Sequence, residues 1–296
     1  MPFLLRLPFI GVLFSLLSVL LGLYTGILIK KLGADVTLVT TLFYRFLLSL
    51  PFLLAFAFYS RGLDLLLIRR KWTMAFRVFI GFSGTVFWFL AMRNLPLGQA
   101  ISLSQSSVIF VTLLSPFLLG ERVGVYRWGA VAFGFCGLVI IANPFSETLS
   151  FQIIYGVLAA LCSALLSISL RRLGKSDHPA SVALLYNFCG TLIMGLTVIL
   201  FPSQHDIPHV GVWIDLALLG TVTGVAQIFI TSAYHYADAV TVASMRYVQI
   251  PLSGVLGYVL FTEIMTGAEI IGATLIVLSC CVIAWREFTY KSSTNG

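Results

Sequence analysis

The chain has 296 residues, 59% of them hydrophobic and only 10% charged, with a formal net charge of +7; an ordinary soluble domain carries about 25% charged residues. No soluble fold of this length hides so much apolar surface, so a cytosolic globular protein is excluded and the lipid bilayer is the expected environment. The positive charge falls in short breaks between apolar runs, which is the pattern of membrane topology, and no nucleic-acid partner is expected.

Apolar windows separated by charged or turn-rich breaks predict ten membrane spans: Pro8–Ile29, Leu38–Tyr59, Thr73–Met92, Ala100–Leu119, Gly124–Ala142, Phe151–Leu170, Ala180–Phe201, Val212–Tyr234, Ala239–Phe261 and Ala268–Trp285. The first is too long for a signal-peptide core, and no small-residue cleavage pattern precedes Lys30-Lys31, so it is expected to stay as a helix. With the N-terminus inside, the cytoplasmic breaks carry Arg6, then Arg61, Arg69, Arg70 and Lys71, then Arg122 and Arg127, then Arg171, Arg172 and Lys175, and finally Arg286 and Lys291. The other side has only Lys30, Lys31 and Arg93. This asymmetry predicts both termini in the cytoplasm.

The two halves echo each other. Lys30-Lys31-Leu32-Gly33 followed by Phe43-Tyr44-Arg45-Phe46 returns as Arg171-Arg172-Leu173-Gly174 followed by Leu185-Tyr186-Asn187-Phe188. Leu119-Gly120-Glu121 returns as Phe261-Thr262-Glu263. Five spans per half is an odd number, so the second copy must be inserted upside down. The expected fold class is an all-α membrane protein, ten transmembrane helices in two inverted five-helix repeats, residues 1–145 and 146–290, with a cytoplasmic tail at 291–296. Inverted repeats belong to alternating-access carriers, whose substrate site lies where the repeats meet.

Three arginines lie within spans. Arg77, near the start of the third span, is expected to snorkel to the cytoplasmic headgroups. Arg45 and Arg246 lie about two turns deep, where burial costs about 2.5–3.5 kcal/mol on insertion scales, and no Asp or Glu lies deep in any span to pair with them. A substrate carboxylate, gripped by the guanidinium fork, is one candidate counter-ion; helix-end carbonyls are the structural alternative. Aligning Glu121 with Glu263 pairs Ser104 with Arg246 and Ser107 with Gln249, so both copies place polar clusters at matching depths. The remaining site candidates are Gln105, Gln249, Tyr247, Phe87, Trp88, Gln227, Tyr44 and Asn187, with Tyr186 at the echo of Tyr44. Serines also serve as small residues that let helices approach, and buried aromatics as packing.

No phosphate-cradling Gly-rich loop, zinc-protease motif or nucleophile elbow occurs, and the five cysteines fall inside apolar segments without metal-ligand spacing. Neither an enzyme activity, a cofactor nor a metal is expected.

Met92-Arg93-Asn94-Leu95-Pro96-Leu97-Gly98-Gln99-Ala100, then Leu118-Leu119-Gly120-Glu121-Arg122, then Trp128-Gly129-Ala130 through Gly134, Gly137 and Pro144, resemble the first half of the EamA family, the ten-helix branch of the drug/metabolite transporter superfamily. Ala239 through Glu263, with Arg246-Tyr247, resembles its ninth helix. The chain departs from the family at Ser106-Ser107-Val108, which replaces a small-residue–proline step. The resemblance implies a multi-pass secondary transporter of the bacterial inner membrane, with a cavity lined by spans 1, 3, 4, 6, 8 and 9 and with spans 5 and 10 outside it. It also implies a small-molecule metabolite as partner, and its Arg-Tyr pair is similar to that of members taking up S-adenosylmethionine or assigned to riboflavin. The expected function is therefore a carrier of a carboxylate-bearing, amino-acid-like metabolite of the S-adenosylmethionine type. An exporter of amphipathic or aromatic compounds, and a non-transporting scaffold or receptor, are the alternatives; monomer and homodimer both stay open.

Overall fold

The computed structural model describes residues 6–33, 35–64, 66–119, 125–142, 151–174, 176–206, 208–236, 242 and 245–294. Among these residues the chain is helical, without strands. The helices are α1 Arg6–Leu32, α2 Leu38–Arg61, α3 Lys71–Asn94, α4 Leu97–Gln105, α5 Ser107–Leu119, α6 Val125–Ala142, α7 Ile153–Leu173, α8 Pro179–Leu200, α9 Trp213–Tyr236, α10 Gln249–Phe261 and α11 Gly267–Thr294. Seven helical segments among the described residues are long and apolar enough to cross a membrane, with shorter apolar helices at Trp128–Ile141 and Gly267–Ser279. Most of the stretch opening the expected ninth span, together with Gly120, Glu121, Arg122 and Pro144, lies outside the described residues.

Local chemistry sets the helix ends. Pro179 opens α8, where its missing N–H has no helical partner anyway. Gly62 closes α2 at φ +59°, a left-handed value that suits glycine. The expected fourth span is not continuous: it breaks into α4 and α5 at Ser106. There the Ser106 hydroxyl and N–H both donate to the Leu103 carbonyl, at 2.6 and 3.1 Å, replacing an α-helical step by a tighter one. In the second half a 3-10 turn, Arg246–Val248, leads into α10. Pro251 falls in the first turn of α10, which tolerates it.

Helices pair across the halves. α1 runs along α9, α3 along α7, α2 against α8 and α9, α4 against α10, and α6 against α11. The α6–α11 contact is backbone-close, because a Cβ on Gly137 would meet the Gly272 carbonyl at 2.7 Å and a Cβ on Gly272 would meet the Gly137 carbonyl at the same distance. Large apolar side chains, among them Phe58, Phe79, Phe133, Ile199 and Val255, point outward. An outer surface of this kind suits acyl chains rather than water.

Candidate functional site

A cavity of about 280 Å³ lies inside the bundle. Its wall comes from α1 (Ser18, Thr25), α3 (Arg77 to Phe89), α4 (Ser104, Gln105), α7 (Cys162, Ser163), α9 (Thr223, Gln227), Arg246 and Gln249, with Arg45 added by α2 and Tyr186 by α8. Spans 1, 3, 4, 6, 8 and 9 thus all contribute, and the α6–α11 pair stands outside. Among the described residues the wall includes three arginines and no Asp or Glu.

One side of the wall is held by amides. Gln105 donates from Nε2 to Gln249 Oε1 at 2.5 Å, and Gln249 donates from Nε2 to the Val19 carbonyl at 2.7 Å, tying α4, α10 and α1 together. Both ends of the Gln249 amide are therefore used. Gln105 Oε1 has no partner, which leaves it able to accept a hydrogen bond from a ligand. Arg246, partly exposed, borders the cavity beside these residues.

The other side is aromatic and cationic. Tyr186 is fixed by its hydroxyl, which lies 2.7 Å from Thr85 Oγ1 and donates to the Gly81 carbonyl at 3.1 Å. The Arg77 guanidinium lies over the Tyr186 ring at 4.1 Å. Arg45 lies over Phe46 at 4.2 Å and approaches the Tyr186 ring at 6.0 Å. Stacking of this kind is worth about 0.5–2 kcal/mol per contact. Nε and Nη1 of both arginines are buried without a hydrogen-bond partner. Leaving such donors unpaired costs about 1–3 kcal/mol each. Both ion pairs among the described residues involve lysines, Lys30–Glu263 and Lys31–Asp215, and neither arginine takes part.

Of the residues singled out in the sequence, Arg45, Trp88, Ser104, Gln105, Gln227, Arg246 and Gln249 border the cavity. Tyr44, Phe87, Asn187 and Tyr247 do not. Tyr44 packs edge-on against Phe43 and Trp213. Asn187 accepts from the Ser49 hydroxyl at 3.0 Å and donates to the Ala183 carbonyl, joining α8 to α2. Tyr247 is buried in the main apolar core, and Phe87 is half-buried on α3. The expectation that Arg77 snorkels to the headgroups is overturned: it is 1% exposed and turned inward, because the Tyr186 ring offers a partner and Gly81 leaves room for it. A signal for this was present in the sequence. Arg77, Gly81, Gly84, Thr85 and Trp88 share one helical face, and that face borders the cavity.

The Lys30 end of the bundle is fastened. Lys30 pairs with Glu263 and donates to the Leu95 carbonyl at 2.8 Å, while Glu263 also accepts from the Leu97 N–H at 2.8 Å. These contacts join α1, the α3–α4 connection and the end of α10.

A sequence model of the EamA-like transporter family matches the chain twice, at residues 9–143 and 150–285. An S-adenosylmethionine uptake transporter of Rickettsia felis is 29% identical over 280 residues, 94% of this chain and 93% of the relative. A riboflavin transporter of Rhizobium johnstonii is 32% identical over 244 residues, 82% and 78% of the two chains. The pseudopaline exporter CntI of Pseudomonas aeruginosa is 27% identical over 282 residues, 93% and 95% of the two. A solved crystal structure shares the fold, with a TM-score of 0.67 at 22% identity, covering 93% of this chain and 98% of that one. An apolar helical bundle, an internal cavity bordered by arginines and two successive family matches lead to one conclusion: the chain belongs to the EamA-like family of drug/metabolite transporters and is a multi-pass membrane transporter, not an enzyme.

Proposed function

We propose that the chain is a secondary active carrier of a small polar organic metabolite bearing a carboxylate, of the S-adenosylmethionine or amino-acid type. The observation that carries this reading is a cavity bordered, among the described residues, by three arginines and no acid. Such a cavity is complementary to an anionic group and hostile to a simple cation. Arg246 grips the carboxylate, with Gln105, Ser104, Gln227 and Trp88 around the rest of the molecule; Gln249 holds the wall. Transport proceeds by alternating access between inverted repeats 1–145 and 146–290, in the bacterial inner membrane with both termini cytoplasmic. The double family match, the pairing of helices across the halves and the tightened helical steps near Ser106 and at Arg246–Val248 support this reading. The uptake transporters among the relatives favour S-adenosylmethionine as the first compound to test.

Arg246→Lys keeps the charge and loses the bidentate fork, so binding should fall about ten- to a hundredfold while membrane expression persists. A carboxyl-amidated analogue should lose little further affinity in that variant. Normal binding by Arg246→Lys would make Arg246 a packing residue and favour an exporter of aromatic compounds. An export direction is supported by the exporter among the relatives, and efflux from preloaded vesicles distinguishes it from uptake. Reporter fusions placing either terminus outside the cytoplasm refute the orientation.

A further inference from the structure

We infer that Arg45 and Arg77 form a second anion-binding site on the α2–α3–α8 wall of the cavity, so that the transported metabolite is of the amino-acid type and carries two acidic groups, of carboxylate or phosphate type, which S-adenosylmethionine with its single carboxylate does not. This rests on the cavity being the substrate site. It goes beyond that reading by assigning a separate pair of cations to a separate group of the ligand.

The two arginines converge on one surface. Arg77 and Arg45 are 1% and 7% exposed, both border the cavity, and both approach the same Tyr186 ring. Two guanidinium groups beside one aromatic ring repel each other, and a ring quadrupole offsets a cation only in part. Nε and Nη1 of each lack partners, and among the described residues no carboxylate borders the cavity to neutralise them. A buried pair of like charges with idle donors is neutralised when an anion binds at this wall of the cavity.

The site is also built around this arrangement. Tyr186 is clamped by Thr85 and the Gly81 carbonyl, so the platform does not rotate. A Cβ at position 81 would collide with Arg77 Nη1, so glycine is what lets the guanidinium lie across α3. Arg246 belongs to a different set of neighbours, the Gln105–Gln249 bridge on the α1–α4–α10 side. One acidic group would satisfy one set and leave the other idle.

The test uses the full-length chain purified in detergent. It is titrated with glutamate and glutamine and with O-phosphoserine and serine, pairs differing by one acidic group, and the rise in melting temperature is followed. In the parent protein at least one acid should bind about ten- to a hundredfold more tightly than its neutral partner, the worth of a charge-assisted contact. Which acid gains more tells carboxylate from phosphate. Arg45→Gln and Arg77→Gln should each remove most of that preference, whereas Arg246→Lys should weaken both members of the pair and keep the preference. If a Gln variant fails to elute as a folded species, Arg45→Lys or Arg77→Lys replaces it, with a reduced preference expected. A preference unchanged by substitutions at both positions, with Arg246→Lys weakening every compound, overturns the second site and leaves the carboxylate carrier standing. No stabilisation by either acid overturns the second site, while S-adenosylmethionine titrated in parallel tests the carrier reading by itself; binding indifferent to all three arginines overturns both.

Discussion

Helix α3 carries two inward arginines with opposite fates. Arg93, near its end, directs Nη2 to the Val36 carbonyl at 2.7 Å, the Thr37 carbonyl at 3.2 Å and Thr41 Oγ1 at 2.7 Å, stapling α3 to the start of α2. Arg77, four turns earlier on the same helix, is deeper and has idle donors facing a cavity. Residue type and helix are the same; the difference lies in what the neighbouring backbone offers. The α1–α2 connection brings the Val36 carbonyl, the carbonyl of the N-cap residue Thr37 and the Thr41 hydroxyl within reach of Arg93. Next to Arg77 the α8 backbone is saturated by its own helix and only a ring face is left. Arg93 also keeps one idle donor, Nε, but its Nη2 meets main-chain oxygens and makes it a rivet; Arg77 makes no such bond among the described residues and is open to a ligand.

Exchanging each arginine for glutamine sharpens this contrast most. Arg77→Gln should lower substrate affinity about ten- to a hundredfold, with the ligand-free melting temperature kept or raised, because an unpaired buried charge is removed. Arg93→Gln should do the reverse, lowering folding stability by about 1.5–3 kcal/mol through lost charge-assisted hydrogen bonds while the folded fraction binds normally. Thermal melts and ligand titrations on both variants measure the two effects separately. If both variants lose stability and neither loses affinity, the distinction collapses.

A smaller effect is expected from Gly81→Ala. The new methyl would strike the far end of the Arg77 side chain and press on Tyr186 Cε2 at 3.0 Å, so the guanidinium must move. Affinity should fall about tenfold, less than for deleting the group. Full affinity with an unchanged melting curve would show that Arg77 does not need its place over Tyr186.

The smallest change concerns the fastened end. Glu263→Gln removes the Lys30 ion pair but keeps an oxygen for the Leu97 N–H. A partly exposed pair is worth about 0.2–1 kcal/mol, so the opening equilibrium at that end should shift by about 1.5- to fivefold. A cysteine placed at the cavity residue Thr25 should then react faster with a membrane-impermeant thiol reagent. An unchanged labelling rate would make the pair a helix-packing contact rather than part of a gate.

Much of the candidate site is legible in the amino-acid sequence alone. Arg45, Arg246, Gln105, Gln249, Gln227 and Trp88 stand out because a polar or interfacial side chain inside an apolar run must have a reason to be there. Two errors share one cause. Arg77 lies close enough to a helix end for its chain to reach headgroups, so depth alone allowed both directions. Tyr44 and Tyr186 occupy the same place in an echoed motif, yet Tyr186 supports the arginines while Tyr44 packs against Trp213. A repeat preserves helix position without preserving which neighbour each helix meets.

Hydropathy and periodicity are properties of the chain taken a few turns at a time. They were enough to establish a membrane bundle and deep cations with no acid deep in a predicted span, because the penalty for a polar group in hydrocarbon applies wherever the helix sits; the family was legible only through the motifs it resembles. The direction of Arg77, the sharing of Tyr186 by two arginines, the Gln105–Gln249 bridge and the break at Ser106 depend on side chains more than 80 residues apart or on a hydroxyl competing with its own helix. Those contacts exist only once α3 meets α8 and α4 meets α10. Only packing could decide which arginines were used up as structure and which were left for a ligand.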